Sequence, residues 1–161
     1  MPIKIAVLME SRPGEKRVAL VPAVAEKLSK LGCSISMLSG AGLGSKLPDD
    51  AYKGVEIAGT EQHLLSDADI VLAVQPPKPS EIALLKPGSI LLSFIYPHKE
   101  PELTRLLSEK HITCFAMEQV PRISRAQAMD ALSSQAALAG YYGALLGATQ
   151  LARILPMMTT A

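Results

Sequence analysis

Apolar runs recur along the chain with stretches of helical period between them, the alternation expected of successive βα units around a parallel sheet. The pattern predicts a first strand over residues 3–8 and a helix over 22–31. Pro22 suits a first helical turn, Val24, Leu28 and Leu31 share one face, and Gly32 can take a left-handed cap. A second strand is expected over 34–38, followed by the glycine-rich turn SGAGLGS and a short helix near 49–53. Residues 55–58 can add a short edge strand.

Residues 69–74 (DIVLAV) are almost continuously apolar, as a strand covered on both faces requires, and Gln75-Pro-Pro-Lys-Pro stops them abruptly. This strand is expected at the centre of the sheet. Further strands are predicted over 89–94 and 112–116, with a helix over 101–109 that turns Leu103, Leu106 and Leu107 inward. A long helix is expected from Ala126 to about Ile154, stopped by Pro156. The fold class is therefore α/β: a flavodoxin-like, doubly wound parallel sheet of about five strands, with helices on both faces and a long C-terminal helix. Ligands of such sheets meet the carboxyl ends of the strands.

A length of 161 residues is one ordinary domain, enough to bury a core without staples. With 48% apolar residues, 19% charged and a formal net charge of +1, nothing in the electrostatic balance draws in nucleic acid. Cys33 and Cys114 lack CxxC spacing and lie in or beside apolar segments, which reads as reduced, buried thiols and gives metal binding no support. The apolar run before Glu10 is too short for a signal peptide or a span, so a cytoplasmic location is expected. The uncharged stretch over 136–152 carries a GxxxG spacing at Gly143 and Gly147. At roughly 17 mostly small residues it sits at the lower limit for a span and reads instead as a buried or interface helix.

Three segments concentrate chemistry. Gly40, Gly42 and Gly44 have GxGxG rather than GxGxxG spacing and follow the second strand, so they read as turn glycines supplying positive φ angles. In the charged loop over 10–17, Glu15 and Lys16 read as solvated, while Arg17 is either a fork held at the strand ends for a carboxylate or phosphate, or one more solvated charge. The stretch over 121–135 gathers Arg122, Arg125, Gln127, Asp130 and several hydroxyls at the exit of the last strand. Gln127, Asp130 and Ser134 would share a helical face, and such a set of donors and acceptors matches a carboxamide. The competing reading has Ser124 capping the helix and Asp130 paired with a nearby arginine. His63, His98 and His111 have no neighbouring carboxylate or nucleophile pattern, and no catalytic residue is predicted.

KRVALVP at 16–22, SGAGLGS at 39–45, LKPGSILLSFIYP at 85–97 and, above all, VPRISRAQAMDALSSQAALAGY at 120–141 carry a resemblance that spans essentially the whole chain. The chain resembles the N-terminal domain shared by alanine dehydrogenase and the alpha subunit of Re/Si-specific, proton-translocating NAD(P) transhydrogenase, and the last string resembles the transhydrogenase branch. The resemblance implies that Arg122, Gln127 and Asp130, with Ser133 as a further contact, surround the nicotinamide end of NAD(H). Their implied work is orientation: NAD(H) is held against NADP(H) bound to a different component, and hydride passes directly between the cofactors. A homodimer is also implied, together with NADP(H)-binding and membrane-spanning partner components that keep the chain peripheral to the inner membrane.

The alanine dehydrogenase branch uses a lysine and a histidine where this sequence has Gln75 and Tyr96. Reductive amination of pyruvate then lacks its cation and its acid/base, and Arg17 is left a structural role. In the family a glycine-rich dinucleotide-binding domain follows the TTA-like segment, and this sequence ends at Ala161. The adenosine and pyrophosphate sites are therefore expected outside the chain, which by itself should bind NAD(H) weakly or not at all. The alternatives are a fragment of an alanine dehydrogenase-like amino-acid dehydrogenase and a flavodoxin-like binding module with no redox role.

Overall fold

The computed structural model describes residues 2–153. They fall into two compact units, the first ending at Gln119 and the second beginning at Val120. The first unit holds six strands, β1 (Lys4–Val7), β2 (Ser34–Leu38), β3 (Glu56–Ala58), β4 (Ile70–Leu72), β5 (Ile90–Ser93) and β6 (Thr113–Ala116), linked in part by helices α1 (Pro22–Lys30), α2 (Glu61–Leu65), α3 (Pro79–Leu84) and α4 (Pro101–Glu109). The sheet order is β3-β2-β1-β4-β5-β6, and each neighbouring pair is parallel. Residues 56–58 do form the edge strand, with Ile57 beside Met37. Adding it to the five central strands turns the flavodoxin-like order into the six-stranded Rossmann order.

Alternation along β1 divides the core between the two faces of the sheet. Ile5 and Val7 join Leu20, Ala25, Ile35, Met37 and Tyr52 on the α1 side. Ala6 and Leu8 join Leu64 and Leu65 of α2, Ile82 of α3 and Leu103 and Leu107 of α4 on the other. The sheet is thus doubly wound, and Val71 of β4 is fully buried, as expected of a central strand. Cys33 and Cys114 are free but only partly buried. Each packs at the margin of a different cluster, which corrects the expectation of buried thiols. Burial still pushes the Cys114 thiol up to about 11.

Two helices have no counterpart in the periodicity. In α2 the Thr60 hydroxyl accepts the backbone N–H of His63 at 3.2 Å, and at the start of α3 the Glu81 carboxylate accepts that of Lys78 at 2.6 Å. Both caps satisfy first-turn donors of helices too short to show a period.

In the second unit a 3-10 turn spans Ser124–Met129, and α5 runs over Ala131–Gln150. The helix expected from Ala126 therefore starts at Ala131, because Asp130 leaves the helical region (φ −75°, ψ 85°) and its side chain accepts the Ser133 N–H. Ser124 is the first residue of the 3-10 turn, and the cap of α5 is Asp130 and not Ser124. No residue of α5 is buried, and Leu138 and Tyr141 are 62% and 70% exposed, which excludes the buried alternative of the expected buried or interface helix. No helix of the described residues is long and apolar enough to cross a membrane. The helix ends at Gln150, where Leu151 turns to extended backbone, and so falls short of the expected Ile154; the stop expected at Pro156 lies outside the described residues.

Candidate functional site

The sheet order makes a switch point between β1 and β4, whose exits lead to loops that diverge. Polar side chains meet there. Glu10, just past β1, accepts the backbone N–H groups of Val74 and Gln75 beyond β4, at 2.6 and 3.0 Å. Glu118, just past β6, likewise accepts those of Ile95 and Tyr96 beyond β5, at 3.1 and 2.7 Å. Peptide donors that have left the ladder are satisfied in this way. Burial pushes the Glu10 carboxyl above its usual value, and the two N–H groups oppose that rise.

Arg17 reaches this region from the loop after β1. Its Nε and Nη2 donate to the Glu15 carboxylate at 2.8 and 2.6 Å, and its backbone N–H donates to the same group at 2.9 Å. Gln75 adds a fourth bond through Nε2, at 2.7 Å. The Glu15 side chain is only 7% exposed, and its bonds to Arg17 hold the carboxyl down at about 2 against the effect of burial. Glu15 is thus no solvated loop charge, which corrects the sequence reading. Lys16 is exposed.

Tyr96 holds a positive φ of 52°. Its ring stacks on Phe94 with 5.9 Å between centroids, and the Lys99 Nζ sits 5.7 Å from its centre. A non-glycine residue in that conformation persists only where its surroundings enforce it, and the bond from its N–H to Glu118 is one such constraint. The hollow bordered by Glu10, Ser11, Gln75 and Pro76 has a volume of about 10 Å³, at most room for one water. Of the hydrogen-bonded groups at the switch point, Glu10 and Gln75 border that small space. Sequence reasoning missed Glu10 and Glu118, although each follows closely on a strand run.

In the glycine-rich turn the chain's own backbone fills the space beside two of the three glycines. Only Gly40 of its three glycines has a positive φ, of 80°. A Cβ on Gly42 would lie 2.4 Å from the Leu47 carbonyl oxygen, and one on Gly44 would lie 2.6 Å from that of Lys16. These two glycines let the chain pass close to its own backbone, a more specific reason than the positive φ expected for them.

In the second unit, Arg122 and Gln127 are exposed, while Asp130 is half-buried. Asp130 accepts the Ser133 backbone N–H at 2.9 Å and its hydroxyl at 2.6 Å. These bonds, with Arg122 nearby, hold the Asp130 carboxyl below its usual range. Gln127 sits in the 3-10 turn and Ser134 in α5, so Gln127, Asp130 and Ser134 do not share one helical face as expected. Arg122, Gln127, Asp130 and Ser133 lie within one short segment around the start of α5, and Arg122 is close enough to act on the Asp130 carboxylate.

Fold and strand order together define a doubly wound α/β domain of the Rossmann type, and comparison with known proteins specifies the family. Residues 6–139 match the model of the alanine dehydrogenase/PNT N-terminal domain, and the chain belongs to that family. It is 45% identical over 166 aligned residues to the first part of NAD(P) transhydrogenase subunit alpha of Rhodospirillum rubrum, covering 99% of this chain and 43% of that protein. Alanine dehydrogenase of Methanococcus maripaludis is 35% identical over 149 residues, covering 91% of this chain and 39% of that protein. Among solved structures, the transhydrogenase from Sinorhizobium meliloti superimposes with a TM-score of 0.89 at 39% identity, covering 98% of this chain and 48% of that one. An L-alanine dehydrogenase shares the fold, with a TM-score of 0.83 at 24% identity over 91% of this chain and 40% of that one. The chain spans less than half the length of the curated relatives it matches.

Proposed function

We propose that this chain is the leading domain of the NAD(H)-binding component of a Re/Si-specific, proton-translocating NAD(P) transhydrogenase. The observation that carries the reading is the 45% identity to a transhydrogenase alpha subunit, which extends over 99% of the chain. In this reading Arg122, Gln127, Asp130 and Ser133 grip the nicotinamide carboxamide, fix the orientation of its ring and restrict water around it. The cofactor, when bound, supplies the hydride chemistry. Asp130 has a double task, because the carboxylate that faces the carboxamide also caps α5. A following dinucleotide-binding domain supplies the adenosine and pyrophosphate sites. NADP(H) sits on a partner component, and homodimerisation and attachment to the inner membrane come through the assembled enzyme.

The amino-acid dehydrogenase alternative has less support. At the switch point Gln75 is engaged with Glu15, and neither it nor Tyr96 supplies the lysine cation or the histidine acid/base which that chemistry uses. The test is a pair of assays on the assembled enzyme: hydride transfer from NADH to an NADP analogue, and reductive amination of pyruvate with ammonia and NADH. Transfer without amination is the expected result, and amination would overturn the reading.

A further inference from the structure

We propose that the outer edge of β6 pairs with the same edge of a second copy of this chain, antiparallel across a two-fold axis, so that two six-stranded sheets become one. The edges of the sheet are β3 and β6, and they are built differently. β3 has three residues, one of them the exposed Glu56, and short strands and charges are what blunt a free edge. β6 (TCFA) has four residues, no charge and no proline, and its Phe115 is 56% exposed. Thr113 donates its N–H to the Ser89 carbonyl on the β5 side at 3.0 Å, so by alternation along the strand the backbone groups of Cys114 and Ala116 point the other way. On the α4 face of this edge lies a groove of about 320 Å³ lined by Leu107, Ile112, Cys114 and Ala116, and its border on α4 is the small, uncharged pair Thr104 and Ser108. Two such edges meet across a two-fold axis as like with like, and charge fixes the register. With Cys114 opposite Cys114, each donates its outward N–H to the carbonyl of the other, and the Lys110 end of each strand lies beside the Glu118 end of the other. Lys110 is held by carbonyls of α3, with its Nζ donating to those of Ile82 and Leu85 at 3.2 Å, and Glu118 is held by two amides. Neutral groups thus fix both side chains, and their opposite charges are left to steer two copies together. The proposal requires no nucleotide, so it stands apart from the transhydrogenase reading.

The test is sedimentation velocity of the whole chain over a concentration series. Strands of four residues make a small interface, so the expected dimer is weak, with a Kd on the order of 10 μM. Phe115→Lys should raise that Kd at least tenfold by setting a charge on the edge, while its circular dichroism spectrum stays that of the unsubstituted chain. Thr113→Lys, at the other exposed position of β6, should do the same, and it replaces Phe115→Lys if that variant does not fold. In Cys33→Ser protein, oxidation with copper phenanthroline should join two Cys114 thiols, which give up two protons and pass two electrons to the copper. Opposed residues of such a hydrogen-bonded pair have Cα atoms about 5.5 Å apart, within the reach of a disulfide. Adding Cys114→Ser should leave no link. A chain that stays monomeric up to about 1 mM, a dimer indifferent to lysine on this edge, or a dimer that forms without a Cys114 link would each overturn the proposal.

Discussion

Asp130 binds both the backbone N–H and the hydroxyl of Ser133, at 2.9 and 2.6 Å, so one carboxylate serves the helix and the proposed nicotinamide grip. The two duties separate by substitution. Asp130→Ala should lose helix content in far-ultraviolet circular dichroism as well as hydride transfer, because the first turn of α5 loses its cap. Arg122→Ala and Gln127→Ala, at exposed positions, should lower hydride transfer in the assembled enzyme at least tenfold while changing stability by less than about 0.5 kcal/mol. Parallel losses of activity and stability in these two would count against the proposed roles.

Acid should act on the switch point through Glu15. Its carboxyl is depressed to about 2 by Arg17, so its contribution to stability is complete above the ordinary carboxylate range and is lost as pH falls towards 2. Glu10 works in the opposite sense, because its raised carboxyl favours the folded state once it is protonated. Urea denaturation from neutrality down to about 2 should therefore show a loss in the lower part of that range which Glu15→Gln removes. An unchanged profile in Glu15→Gln would contradict this account.

Tyr52 is 3% exposed and donates its hydroxyl hydrogen to the Leu20 carbonyl at 2.9 Å. Tyr52→Phe keeps the ring and leaves that carbonyl without this partner. The expected loss is about 1 kcal/mol in urea-induced unfolding.

Gly44→Ala would bring a Cβ to 2.6 Å from the Lys16 carbonyl oxygen, a backbone atom that cannot swing aside. It should destabilise the fold by about 2 kcal/mol. Gly59→Ala, where no atom lies within 4 Å of the added Cβ, is the control and should be close to neutral. If the two behaved alike, the close approach would not be the reason for glycine at 44.

The sequence was most legible where one physical signal dominates. The bounds of β2 and α4 match the predicted 34–38 and 101–109, because glycine, proline and an uninterrupted period mark their ends. It was least legible where a side chain competes with the backbone. Residues 126–129 are helix formers by propensity, yet they belong to a 3-10 turn, and the Asp130 cap ends that turn and starts α5 one residue later. In α2 and α3, five and six residues leave no periodicity to detect. The Asp130–Ser133 contact is local and could be read from spacing. The burial of Glu15 could not, because Gln75 reaches it only through the order of the strands.

Val74, Gln75, Ile95 and Tyr96 lie past the ends of β4 and β5, yet their amides are occupied by Glu10 and Glu118. Hydrogen–deuterium exchange at these four sites should consequently be as slow as inside the strands, so that the protected region outlasts the regular secondary structure. Glu10→Ala should release the first two and leave the second two slow, which makes each carboxylate a separate latch on its own stretch of backbone.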